Sequence, residues 1–154
     1  MAMRIRPDKD TYYLDIAAVV SERSTCVRRH YGAVIVNNDE IVSTGYNGNV
    51  RGAVNCYERM QCTRVEAEHN DGLYIGCESV HAEMNALISA SRAETIGATL
   101  YLAGFDVYSL AGVKHDEILD ATPCPICSRM IKNAGIKRVV TRSKSYDLSK
   151  ASKE

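Results

Sequence analysis

Apolar and polar positions alternate in a way that changes period several times along the chain. Over residues 10–22, "DTYYLDIAAVVSE", Tyr13, Ile16, Ala17 and Val20 recur at helical spacing and predict an amphipathic helix. "GAVIV" (32–36) is a continuous apolar, β-branched run and predicts a buried strand. "NNDE" (37–40) is turn chemistry, and "EIVSTGY" (40–46) follows as the second arm of a hairpin. "GYNGNVRG" (45–52) predicts a loop. Residues 53–80 have no clear period, and such a stretch is usually functional or pinned by something. Residues 82–92 predict a helix with Met84, Leu87 and Ile88 on one side, and "ATLYLAG" (98–104) a strand. Residues 105–121 have no period and are expected to be an irregular insertion. "PCPICSRMIKNAG" (123–135) predicts a helix with proline near its start and Gly135 past its end, and "IKRVVT" (136–141) a last strand. The polar stretch 143–154 is expected to fray. Helices alternating with strands after residue 80 argue for an α/β layer structure with parallel late strands.

The chain has 154 residues, enough for one domain with a real core, and residues 1–154 are expected to form that single domain. It carries 19 Lys and Arg against 19 Asp and Glu, so nothing marks it as a strongly basic nucleic-acid binder, and a nucleic-acid partner is not expected. No apolar run reaches the roughly 20 residues that span a bilayer, so no membrane association is expected. The first ten residues, "MAMRIRPDKD", lack the apolar stretch of a signal peptide, so a cytoplasmic location is expected. There disulfides are disfavoured, and six cysteines are many, which points to metal binding or catalysis.

Cys124 and Cys127, spaced i, i+3 at a helix start, present both sulfurs on one face, where the helix N-terminus favours thiolates. Two thiolates leave a tetrahedral zinc two open positions: one more protein ligand plus water makes a catalytic centre, two more make a structural one. His81 in "VHAEMNAL" (80–87) is the candidate third ligand. Glu83, two residues on, can reach a water at the ion; zinc brings the pKa of such a water to about 7, and a neighbouring carboxylate can carry its proton. A structural zinc ribbon is the bland alternative, but ribbons usually have two CxxC pairs and this chain has one.

The pair H-A-E (81–83) and P-C-x-x-C (123–127) resembles the zinc-dependent nucleobase deaminases, whose signature it is. "GAVIVNNDEIVSTGYNG" (32–48) and "AGIKRVV" (134–140) narrow the resemblance to the cytidine and deoxycytidylate deaminases over most of residues 12–146. The resemblance implies a three-layer α-β-α fold, with a central mixed sheet of about five strands flanked by helices. It implies hydrolysis of deoxycytidylate to deoxyuridylate with loss of ammonia, Glu83 shuttling the proton. It further implies that Asn47 and the Ala82 backbone touch the nucleotide, although Asn-Gly is also a common turn pair. For the phosphate, residues 21–31 offer Arg23 and Ser24, with Arg28 and Arg29 nearby, and Tyr146 matches a tyrosine after the last strand. Some relatives carry a second, structural zinc; by that likeness Cys26 and Cys56 are ligands, with His69 and Cys77 the expected others and Cys62 a substitute. Free buried cysteines are the alternative. The resemblance also implies a homo-oligomer, a dimer or a hexamer, and a deoxycytidine or thymidine triphosphate effector with magnesium near residues 45–48. It departs from the family at residues 104–122, which intervene between the strand and P-C-x-x-C and are expected near the site mouth as a lid, a specificity loop or an oligomer contact. Other readings are a deaminase of another amine-bearing ring (deoxycytidine triphosphate, a free nucleoside, guanine or adenosine in transfer RNA) or a zinc-bound module without turnover. Glu83 would have no task in the latter.

Overall fold

The computed structural model describes residues 3–64, 74, 76–107 and 114–150. Helix α1 (Lys9–Ser21) starts where Asp8 caps it, the carboxylate accepting from Thr11 N at 2.8 Å. Strands β1 (Arg29–Asn37) and β2 (Glu40–Tyr46) form the expected antiparallel hairpin, turning through Asn38 and Asp39, both at positive φ. Strand β5 (Thr99–Val107) lies antiparallel to β1 on its other side, and β7 (Arg138–Val140) lies parallel to β5. The sheet runs β2-β1-β5-β7-β8, with β8 (Ser145–Asp147) at the far edge and β6 (Lys114–Glu117) paired to the distal end of β5. It is mixed and has six strands.

Both faces are covered, which is why "GAVIV" reads as an unbroken apolar run. Ala33, Ile35, Leu100 and Leu102 face a core closed by α3 (Ala82–Ile88) and α5 (Pro125–Asn133). Val34, Val36, Tyr101 and Ala103 face the other, closed by Tyr13, Leu14 and Ala17 of α1. The three-layer α-β-α arrangement is the expected one.

Several local expectations are corrected. The helix over 82–92 breaks after Ile88 and restarts as α4 (Arg92–Thr95), because Ser91 and Glu94 form a capping box that begins a new helix. The buried side of α3 is Ala82, Glu83 and Ala86; Met84 and Leu87 are only half-buried and Ile88 is 73% exposed. The stretch 45–52 includes strand β3 (Gly48–Asn49), which pairs with β4 (Ser79–Val80); a short helix α2 (Cys56–Arg59) lies between them. The insertion is regular at its base: β5 runs on to Val107 and β6 returns antiparallel. The polar stretch after residue 143 forms β8 and a 3₁₀ turn at Leu148–Lys150 rather than fraying there, with Leu148 and Tyr146 packed on the core.

Candidate zinc centre and its pocket

Two helix starts converge to build the site. His81 is the N-cap residue of α3, and Cys124 is the N-cap residue of α5, with Pro125 supplying the pre-set φ of the first helical position. Cys124 Sγ accepts from Cys127 N at 3.4 Å, so the capping bond also orients the sulfur. His81 Nδ1 lies 3.5 Å from Cys124 Sγ and 3.3 Å from Cys127 Sγ. A tetrahedral zinc with bonds of about 2.0 Å to nitrogen and 2.3 Å to sulfur sets those atoms about 3.5 Å apart, so the three side chains fit that ion. Among the described residues, no other group of His, Cys, Asp and Glu gathers in this way.

The depth of the centre is set by how closely α3 approaches β2. A Cβ on Gly45 would stand 2.3 Å from both Ala82 O and Ala86 N, so only glycine lets the helix lie there. Ser43 Oγ donates to Ala86 O and Asn85 Nδ2 donates to Tyr46 O, each at 2.8 Å, and these bonds fix the helix in register. Glu83 is thereby held 5% exposed beside the thiols. Burial pushes its carboxyl up from the ordinary glutamate range, so it can hold and release a proton nearer neutrality. Burial also lowers His81, with Arg64 adding to the effect, which keeps the imidazole neutral and able to ligate. Burial first, and Glu83 and Cys124 next, push the Cys127 thiol up; a bound cation reverses that preference.

The pocket in front of these groups is lined by Glu83, Ala82, Asn47, Tyr31, Tyr74 and Thr122, with Arg28, Arg29 and Arg64 around it. Its void measures about 690 Å³, including the part open to solvent. Tyr74, at φ 49°, sets its ring edge-on to His81 with centroids 4.6 Å apart, and the Arg64 guanidinium stacks over it at 5.0 Å. Neither Arg64 nor Tyr74 was singled out by sequence, since no motif or period marks them.

The other expected site residues are placed unevenly. Asn47 lines the pocket, but its amide also braces β1, accepting from Tyr31 N at 2.8 Å and donating to Arg29 O at 2.9 Å. Arg23 is exposed and Ser24 turns its hydroxyl to Cys26 N; neither lines the pocket, because α1 ends before them and the chain turns inward only at Cys26. Tyr146 sits on β8 against a separate cleft behind α5, with Pro123 and Ile131. Cys26, Cys62 and Cys77 line the pocket and Cys56 is buried, but these four do not come as close together as the His81 group. His69 and residues 108–113 of the insertion lie outside the described residues. Residues 45–48 are largely packed inside: a Cβ on Gly48 would meet Thr25 Oγ1, as one on Gly45 would meet α3. Among the described residues, no helix is long and apolar enough to cross a membrane.

Residues 7–143 match the family described as the cytidine and deoxycytidylate deaminase zinc-binding region. The chain is 36% identical to the deoxycytidylate deaminase of Schizosaccharomyces pombe over 148 residues, 94% of this chain and 40% of that protein. It is 37% identical to the deoxycytidylate deaminase of Mycobacterium phage D29 over 142 residues, 88% of this chain and 94% of that one. The chain thus spans less than half of the fission-yeast relative and nearly all of the phage relative. Among solved structures it is similar to the dCMP deaminase of cyanophage S-TIM5, one of them in complex with dCMP and dUMP, with a TM-score of 0.57, 28% identity and coverage of 88% of this chain and 82% of that one.

Proposed function

The chain belongs to the cytidine and deoxycytidylate deaminases, and from that premise we propose that it hydrolyses deoxycytidylate to deoxyuridylate and ammonia. The observation that carries this reading is the meeting of two helix starts, which sets His81, Cys124 and Cys127 around one point with Glu83 buried beside them. His81, Cys124 and Cys127 hold the zinc, which when bound supplies the Lewis acidity that makes water a nucleophile at neutral pH. Glu83 takes one proton of the attacking water on a carboxylate oxygen and delivers it to the ring nitrogen beside the reacting carbon, then carries the remaining hydroxyl proton to the exocyclic nitrogen, which leaves as ammonia while the carbonyl forms. The bond formed is oxygen to the ring carbon; the bond broken is that carbon to the exocyclic nitrogen. Asn47 holds the strand that forms one wall and meets the sugar or base, and the backbone of Ala82 meets the ring carbonyl. Arg28 and Arg64, rather than Arg23 and Ser24, meet the phosphate, because their positions rim the pocket.

A second, structural zinc is part of the proposal. Cys26 Sγ accepts from Arg28 N and Cys62 Sγ from Arg64 N, each at 3.4 Å, an amide-to-sulfur turn one residue shorter than the capping bond at Cys124. Cys26, Cys56, His69 and Cys77 are its ligands, with Cys62 as substitute. The turn at Cys26 would then set Arg28, two residues beyond it. The oligomeric form is a dimer or a hexamer.

Ammonia release across deoxycytidylate, deoxycytidine triphosphate, cytidylate and the free nucleosides tests the activity. Turnover is expected chiefly with deoxycytidylate; a triphosphate that reacts while the monophosphate is inert overturns the substrate. Metal analysis of the purified chain is expected to give two zinc ions per chain, and a value of one with Cys26→Ser unchanged in stability removes the second site.

A further inference from the structure

Going beyond that reading while resting on it, we propose that Tyr31 contacts the bound nucleotide as a specificity-determining residue, held in place by Arg29 and by Asp106 at the root of the insertion. Tyr31 and Gly104 are partners across the β1–β5 register. A Cβ on Gly104 would come within 2.5 Å of the Tyr31 ring, so the ring lies directly over the bare glycine backbone, and Ile118 Cδ1 of the returning chain would stand 3.5 Å from that same Cβ. That contact fixes the plane of the phenol. Its tip is fixed separately. Arg29, two residues earlier on the same strand face, donates from Nη1 to the Tyr31 hydroxyl oxygen at 3.2 Å, and its Nε sits 2.9 Å from Asp106 Oδ1. Asp106 is the register partner of Arg29 and is carried between two rungs of the β5–β6 pairing, at Phe105 and Val107.

The hydroxyl oxygen of Tyr31 is thus used as an acceptor, and its own proton has no acceptor among the described residues. The group is half-buried and lines the same pocket as Glu83, Asn47 and Ala82. A donor held this way is offered to whatever fills the pocket. A cytosine nucleotide presents ring, sugar and phosphate oxygens and can accept it. The insertion accordingly acts on the substrate pocket through one ion pair at its root, whatever its tip does.

The test uses the full zinc-loaded chain, with Tyr31→Phe, Asp106→Asn and the double variant. Removing the donor is expected to raise KM for deoxycytidylate about two- to tenfold, the worth of one neutral hydrogen bond, with kcat within about twofold. Asp106→Asn is expected to raise KM less, and to add nothing in the Tyr31→Phe background, since both act through the same hydroxyl. The calorimetric Kd for deoxyuridylate should follow the same order, and thermal unfolding checks that the variants are folded. Wild-type KM and Kd in Tyr31→Phe overturn the proposal, as does a double-variant penalty equal to the product of the single ones. A wild-type chain that binds cytosine nucleotides in a Tyr31-dependent way, yet does not turn deoxycytidylate over, overturns the proposed activity and leaves this inference standing.

Discussion

Glu83 occupies the second position of a seven-residue helix, buried beside thiols, where an aliphatic side chain would pack at lower cost. On the proposed function it sits there as the proton carrier, so Glu83→Ala is expected to keep zinc and to lose at least about 100-fold in kcat, the usual range for a positioned acid–base group. Metal content measured beside steady-state rates checks this; substantial remaining turnover would remove Glu83 as the proton carrier. Cys127→Ser is expected to do the opposite, lowering zinc content along with activity. The ligand set was legible in the sequence because caps and i, i+3 spacing are local properties. Arg64 and Tyr74 were not, because what places them on His81 is tertiary contact between segments without period.

At the level of the elements, the seat of α3 on β2 depends on Gly45. Gly45→Ala forces a methyl into backbone atoms 2.3 Å away that cannot swing aside. We expect a loss of about 1–3 kcal/mol in urea unfolding, the common cost of overpacking, together with weaker zinc retention during dialysis against a chelator. Loss of stability with unchanged retention would mean that the helix start does not depend on this contact. The β1–β2 hairpin could be read from sequence to within a few residues, since its turn chemistry and alternation are written locally. Strand β6, "KHDE", could not: it has no apolar side to betray it and exists because the free edge of β5 accepts its backbone. Strand β8 is only three residues long and lies in a polar stretch, and it forms on the edge of β7; the break of α3 at Ser89–Ser91 was hidden by apolar residues that continue the helical spacing across it.

The whole molecule is closed by ion pairs that join distant parts of the chain across the sheet. Arg138 of β7 grips Asp10 of α1, donating from Nη1 at 3.0 Å, and Tyr101 donates to the same carboxylate at 2.9 Å. Arg142 reaches both Glu117 of β6, at 2.6 Å, and Asp15 of α1, at 2.7 Å. The Arg138 hydrogen bond holds the Asp10 carboxyl below its ordinary value. A depressed folded-state pKa means stability that is present above the unfolded value, about 3.9, and lost as pH falls through the folded one. Asp10→Asn should therefore destabilise the chain at pH 7, with the gap to wild type closing below about pH 4. Urea unfolding at the two pH values measures it, and a gap that widens in acid would contradict the assignment. An α/β layer structure was legible in the alternating helical stripes and apolar strands, and its three-layer order in the resemblance carried by H-A-E and P-C-x-x-C. These long-range pairs were not, because Asp10 and Arg138 are separated by nearly the whole chain and nothing local links them.

The imidazole and the two sulfurs stand at the openings of α3 and α5, and β5 and β6 are threaded between those openings. During synthesis, a nascent chain that has emerged only as far as residue 122 carries the imidazole and neither sulfur, and one donor does not retain an ion. The cation of this centre is therefore captured late, after β1, β2 and β5 have been made, and its uptake reports that translation has passed Cys127.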